Sequence, residues 1–193
     1  MAFVPHPVSE ALAGACFAPD YASARARFLA AAARAGARVD VFVNDVATGP
    51  GGGSLTTDVA VLGPADAPAA LMLVSGTHGP EGFVGSAAQV ALLDAIATGV
   101  PLPPVRVVLV HAINPYGFAH ITRTTENNVD LNRNFIDWSA GAPGNPAYVE
   151  LHAALCPSVW TPEALAAADA ARIDWIGRNG QDAFVDMTSR GQY

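Results

Sequence analysis

Apolar positions return along the chain in two rhythms. After Asp20, the residues Tyr21, Ala24, Phe28, Leu29 and Ala32 recur at helical spacing as far as Gly36. An aspartate that can cap the start and a glycine that ends it predict an amphipathic helix. The second rhythm is alternation. Val39, Val41 and Val43 alternate with Asp40 and Phe42, and residues 55–62 alternate again with Val59 and Val61 on one face. With the glycine loop 49–54 between them, the two runs predict an antiparallel strand pair. Leu71-Met72-Leu73-Val74 is a short unbroken apolar run, the pattern of a strand covered on both faces. A helix is predicted after Ser75-Gly76-Thr77-His78, with Pro80 in its first turn and Val84, Ala87, Ala88, Ala91, Leu92 and Ala95 facing inward. Residues 105–110 predict a further buried strand, so the three elements form a βαβ unit with parallel strands and a right-handed crossover.

The pattern lapses over residues 114–135. Asn114-Pro115-Tyr116-Gly117 reads as a turn, and the rest is polar and rich in Asn. An irregular stretch of this length inside a compact domain is usually functional. Helices are predicted again for residues 146–155 and 162–176, and the chain from Met187 onwards reads as an end without helix or strand. No internal repeat or linker interrupts the chain, so residues 1–193 are expected to form a single domain.

Composition narrows the function classes. Half of the 193 residues are hydrophobic (51%) and 14% are charged, below the quarter or so usual for soluble domains. The net charge is −7 and lysine does not occur, which argues against nucleic acid and anionic membranes as partners. Cys16 and Cys156 make no disulfide framework and no CxxC pair. The first 18 residues lack a basic region, and Pro5, His6, Pro7 and Glu10 break any apolar core of a signal peptide. The most apolar later stretch, residues 83–100, carries Gln89 and Asp94 and does not read as a membrane span. A soluble, cytoplasmic protein is expected.

The chemistry gathers at two places. His78-Gly79-Pro80-Glu81 follows the carboxyl end of a predicted buried strand and opens a helix, the position where ligands bind in open α/β sheets. Imidazole and carboxylate three residues apart can reach one Zn²⁺ from a single turn. The second place is Arg123 followed by Asn127-Asn128-Val129-Asp130-Leu131-Asn132-Arg133-Asn134-Phe135. Arg133 beside Asn132 makes a clamp for a terminal carboxylate. A second arginine, Arg123, can stabilise charge on an attacked carbonyl oxygen. Asp130 can orient the metal-binding histidine through its far ring nitrogen. Other chemistries fit poorly. Gly51-Gly52-Gly53-Ser54 has no lysine and precedes a strand, so it is no phosphate loop, and Ser75-Gly76-Thr77 is no nucleophile elbow.

The order strand, HGPE, helix, then AINPYG, then RTTENNVDLNRNF resembles the M14 zinc carboxypeptidase superfamily, and most closely its DUF2817 (M14-like) family, from about Phe17 to the last residue. The resemblance implies a three-layer α/β/α fold with a mixed, largely parallel sheet. It also implies His78 and Glu81 as the first two zinc ligands, Arg123 as the arginine that polarises the scissile carbonyl, Asn132 and Arg133 as the pair that holds the substrate carboxylate, and Asp130 as the acid behind the zinc-binding histidine. The substrate is then a peptide or an N-acyl amino acid, as in the related aspartoacylase and desuccinylase group. The sequence departs from the superfamily in two respects: no third zinc-binding histidine and no catalytic glutamate follow. His152 falls in a predicted helix, His111 ends a strand, and His120 lies in the irregular stretch. The chain is therefore expected to be C-terminally truncated or a degenerate, non-catalytic member with a partial metal site. It is also expected to leave a sheet edge uncovered and open to self-association.

Overall fold

The structure is a computed structural model that describes residues 14–102, 104–141 and 143–190. The reading of the first residues as lacking a signal sequence, His6 included, falls largely outside them, as do the last three residues. The chain divides into two compact units, Met1–Leu131 and Asn132–Tyr193.

The first unit is α/β. Asp20 accepts a hydrogen bond from the Ser23 N–H (2.7 Å) and starts helix α1, Tyr21–Arg34. Strands β1 (Arg38–Thr48) and β2 (Ser54–Leu62) form the expected antiparallel hairpin around the glycine loop. Strand β3 (Ala70–Val74), helix α2 (Gly79–Ala97) and strand β4 (Arg106–His111) follow, and then the short helix α3 (Pro115–His120). The strand order is β1-β2-β4-β3, so the sheet is mixed as expected, but only β3 and β4 are parallel; it is not largely parallel, because the β1–β2 hairpin adds to β4 in antiparallel fashion.

One face of this sheet carries the core. Ala60, Leu62, Val107 and Leu109 pack against Phe28, Ala31 and Ala32 of α1 and against Ala87, Val90 and Leu93 of α2. Full burial of a side chain such as Phe28 stabilises by roughly 2–3 kcal/mol. The other face is also apolar; Val59, Val61, Val108 and Val110 on its central strands are half-buried, and the β3 residues on it are exposed. β3, read from sequence as covered on both faces, is an edge strand, with Met72 63% and Val74 45% accessible. An unbroken apolar run shows that both sides of a strand are apolar; it does not show that anything covers them.

Two further expectations are corrected. The inward face of α2 includes the expected Ala87, with Ala91 and Leu92 partly buried beside it, but it also runs through Gly82, Ser86, Gln89, Val90 and Leu93, whereas the expected Val84 and Ala88 are exposed. The periodicity misleads because Ser86 and Gln89 are buried polar residues whose hydrogen bonds are satisfied internally. The Ser86 hydroxyl pairs with His111 Nε2 (2.9 Å), and the Gln89 amide donates to the carbonyls of Leu73 (2.9 Å) and Val110 (3.2 Å). The Asn-Pro-Tyr-Gly turn is in fact the start of α3, with Asn114 as its cap and Pro115 in the first turn.

The second unit is helical among its described residues. Helices α4 (Pro146–Leu155), α5 (Pro162–Asn179) and α6 (Gln181–Ser189) pack around Leu151, Trp175 and Met187. Asn145 caps α4 and also donates to the Met187 carbonyl (2.9 Å), which ties the first helix to the last. α6 corrects the reading of the segment near Met187 as an end without a helix: Met187 is buried against Leu151 and Trp175, partners that the local sequence does not announce. No helix among the described residues is long and apolar enough to cross a membrane.

Candidate metal centre

His78 is the last residue before α2, four residues beyond the end of β3. Its backbone is held from both sides by the segment around α3. Gly79 N–H donates to the Thr122 carbonyl (3.0 Å), and Asn114 Nδ2 donates to the Thr77 carbonyl (3.3 Å). A side chain at residue 79 has no room, since a Cβ there would lie 1.7 Å from the Gly117 carbonyl oxygen.

The imidazole is buried, with 6% of His78 accessible, and both ring nitrogens are engaged. Nε2 lies 2.9 Å from Asp130 Oδ1 and Nδ1 lies 3.2 Å from Glu81 Oε2. Asp130 is itself buried, and its second oxygen accepts from Arg123 Nε (2.8 Å). Glu81, Arg123 and the imidazole therefore sit in one chain of contacts, from an exposed carboxylate through the buried ring and buried acid to a half-exposed guanidinium.

A tight turn makes the Arg123–Asp130 pair possible. Asn128 N–H donates to the Thr125 carbonyl (2.9 Å), and Thr125 N–H donates to the Val129 carbonyl (2.9 Å). The reversal puts Asn128 at φ +59, a left-handed conformation that asparagine tolerates better than most residues. Part of the Asn-rich string thus serves the backbone and brings two residues seven apart side by side.

The hydrogen bonds bear on whether a metal fits. With Nε2 donating to the Asp130 carboxylate, Nδ1 presents a lone pair towards Glu81, which is also an acceptor. Two acceptors at 3.2 Å need a positive charge between them, either a proton or a cation. Two zinc ligands, each about 2.1 Å from the ion at a tetrahedral angle, stand about 3.4 Å apart. The spacing of this one pair fits two ligands of a zinc ion. Among the described residues no group of three or more His, Cys, Asp or Glu side chains gathers to complete such a site.

Asn132 and Arg133 belong to the second unit. They lie in a single 3₁₀ turn, Leu131–Arg133, where Arg133 Nη1 donates to the Asn132 carbonyl (3.2 Å). The other histidines have separate tasks. His111 is fully buried, stacks on Phe28 (4.5 Å between rings) and pairs with Ser86. Burial pushes its pKa down to about 4, so it is neutral in the fold. His120 Nε2 pairs with the Thr48 carbonyl (2.9 Å), and His152 lies beside Tyr148 in α4.

A cavity of about 490 Å³ lies elsewhere in the first unit, between α1, the glycine hairpin and Ala119, and none of the residues above lines it. Its two charged groups are already committed: Arg25 makes a two-point pair with buried Asp58, and Asp20 caps α1.

Asn114 is the site residue that its sequence context disguises as part of a turn. Its signal is present, because polar-residue-then-proline also opens α4 at Asn145-Pro146 and α5 at Thr161-Pro162. The six-residue length of α3 hides it.

No curated protein matches this chain. A family model described as "Protein of unknown function (DUF2817)" matches residues 17–193, and the chain therefore belongs to the DUF2817 family.

Proposed function

We propose that this chain is a zinc-dependent hydrolase of the carboxypeptidase type, which cleaves an amide bond next to a free carboxylate. The observation that carries the reading is the facing pair His78 Nδ1 and Glu81 Oε2 at 3.2 Å, with Asp130 behind the ring. His78 and Glu81 would hold the cation. When bound, Zn²⁺ supplies Lewis-acid polarisation of a carbonyl and a water of lowered pKa.

The chain's own residues do the rest. Asp130 fixes the ring orientation and its tautomer, leaving the Nδ1 lone pair free to ligate. Arg123 is tethered through Nε to Asp130 while its side chain stays 48% accessible. Its Nη donors are thereby available to negative charge developing on the substrate carbonyl oxygen. In this reading Asn132 and Arg133 take the role that the family resemblance gives them, gripping the substrate's terminal carboxylate in two-point fashion. Peptides and N-acyl amino acids both present that group, and the N-acyl amino acid deacylase reading stands beside the peptidase one.

A non-catalytic binding role is the second reading. It is favoured by the two-residue ligand set among the described residues, since zinc enzymes ordinarily supply three protein ligands. One experiment separates the readings. The 193-residue chain is assayed against acyl-amino-acid and peptide panels with and without chelator, beside His78→Ala. Chelator-sensitive turnover lost in His78→Ala supports the hydrolase. Zinc retention without turnover supports the binding role. Unchanged zinc stoichiometry in His78→Ala defeats the metal site in both.

A further inference from the structure

We infer that Asn114 is a positioning residue, which uses its side-chain donor and acceptor together to hold the loop bearing His78 in register with the segment that delivers Arg123. The β3–β4 ladder continues past both strand ends. Ser75 N–H donates to the Val110 carbonyl (3.0 Å), Ile113 N–H to the Ser75 carbonyl (3.0 Å) and Asn114 N–H to the Gly76 carbonyl (3.1 Å). Asn114 therefore arrives directly against the residues that precede His78. It is 1% accessible, and every polar group it has is used. Oδ1 accepts from Gly117 N–H (2.8 Å), the carbonyl accepts from Phe118 N–H (3.1 Å), and Nδ2 donates to the Thr77 carbonyl (3.3 Å).

The far end of α3 grips the other side of His78. Thr122 N–H donates to the Gly117 carbonyl (2.9 Å), and the Thr122 carbonyl accepts from Gly79 N–H (3.0 Å). The peptide groups before and after His78 are thus both tied to one six-residue helix and its flanks, and Thr122 is the neighbour of Arg123. The packing has no slack, because a Cβ at Gly117 would lie 2.4 Å from Asn114 Nδ2. A cap alone does not require asparagine, since serine or aspartate caps equally well. Neither an ionised aspartate nor a serine can cap α3 and also donate to the Thr77 carbonyl from this place. Asparagine does both.

Asn114→Ser keeps the cap and removes the Nδ2 amide that reaches the Thr77 carbonyl, its shorter side chain offering a single oxygen at the cap, whereas Asn114→Ala removes both. Amide exchange by mass spectrometry is compared with a Ser86→Ala control, which loses a buried bond in the same unit that involves neither His78 nor Asn114. In Asn114→Ser, exchange at residues 76–80 and 121–123 is expected to rise about tenfold while β4 and α1 stay protected, as for any locally opened segment. Competition with a chromogenic chelator is expected to show zinc affinity about tenfold weaker, the size typical of a lost supporting contact. Wild-type exchange at residues 76–80 in Asn114→Ser reduces the residue to a helix cap and overturns the inference. An equal rise in Ser86→Ala makes the effect global and does the same. The zinc readout rests on the proposed metal site. If the wild-type chain binds no zinc, that site fails, and the exchange result still decides the role of Asn114.

Discussion

Asp130 is the residue on which the candidate centre turns, and replacing it with asparagine tests the reason. Its carboxylate accepts two bonds at once, from His78 Nε2 (2.9 Å) and from Arg123 Nε (2.8 Å). An asparagine offers one acceptor oxygen and one NH₂ group, so either one of those two donors faces another donor or the imidazole changes tautomer. Hydrogen bonds to a charged group contribute about 1.5–3 kcal/mol each. The Arg123 share is discounted because that side chain is 48% accessible and solvent screens it. The His78 share is not, since ring and acid are both buried. Losing the carboxylate also frees the imidazole to take the other tautomer, with its proton on the nitrogen that faces Glu81. Zinc affinity in Asp130→Asn should therefore fall by about 10–100-fold, or roughly 1.4–2.7 kcal/mol. Chelator competition near neutral pH measures it, with urea unfolding to confirm that the variant is folded. Wild-type affinity in a folded Asp130→Asn protein would refute the claim that this acid sets the ring for metal binding.

Two more outcomes follow from the geometry. Gly79→Ala places a methyl group 1.7 Å from the Gly117 carbonyl oxygen. It should cost about 3 kcal/mol or more in urea unfolding, and an unaffected midpoint would show that the two segments are not so closely opposed. His111 is held neutral by burial, its pKa lowered from 6.5 to about 4. The unfolded chain then binds a proton that the folded chain refuses, so the stability is fully present above pH 6.5 and is lost as pH falls towards 4. The difference amounts to roughly 3 kcal/mol at about 1.4 kcal/mol per tenfold change in proton affinity. His111→Gln should flatten that acid limb in unfolding curves taken across the window, and a parallel limb would assign the acid sensitivity to other groups.

Elements with local signals are readable from the residues themselves. α1 announces itself by Asp20 and a helical apolar repeat, and α4 and α5 by a capping residue followed by proline. The α2 face is read only in part: Ala87 is buried as expected, but Ser86 and Gln89 are buried too, and their partners, His111, Ser75 and the β3 and β4 carbonyls, lie on other elements. A hydrophobicity pattern carries no information about a polar residue whose hydrogen bonds are satisfied across the fold. The exposure of β3 escapes for a related reason: strand position in a sheet is set by pairing order, which a single apolar run does not encode.

By itself the sequence determined which side chains can do chemistry and which of them are close along the chain, because His78 immediately precedes the helix whose first turn carries Glu81, three residues on. Tertiary structure decided what stands around them. Asp130 lies 52 residues from His78, Arg123 reaches it through a reversal at Thr125–Asn128, and Asn114 and Thr122 lock the peptides on either side of the imidazole. Local spacing fixes what neighbours along the chain can share. Contacts between distant residues exist only once the sheet has set its register and the loops have closed over its end.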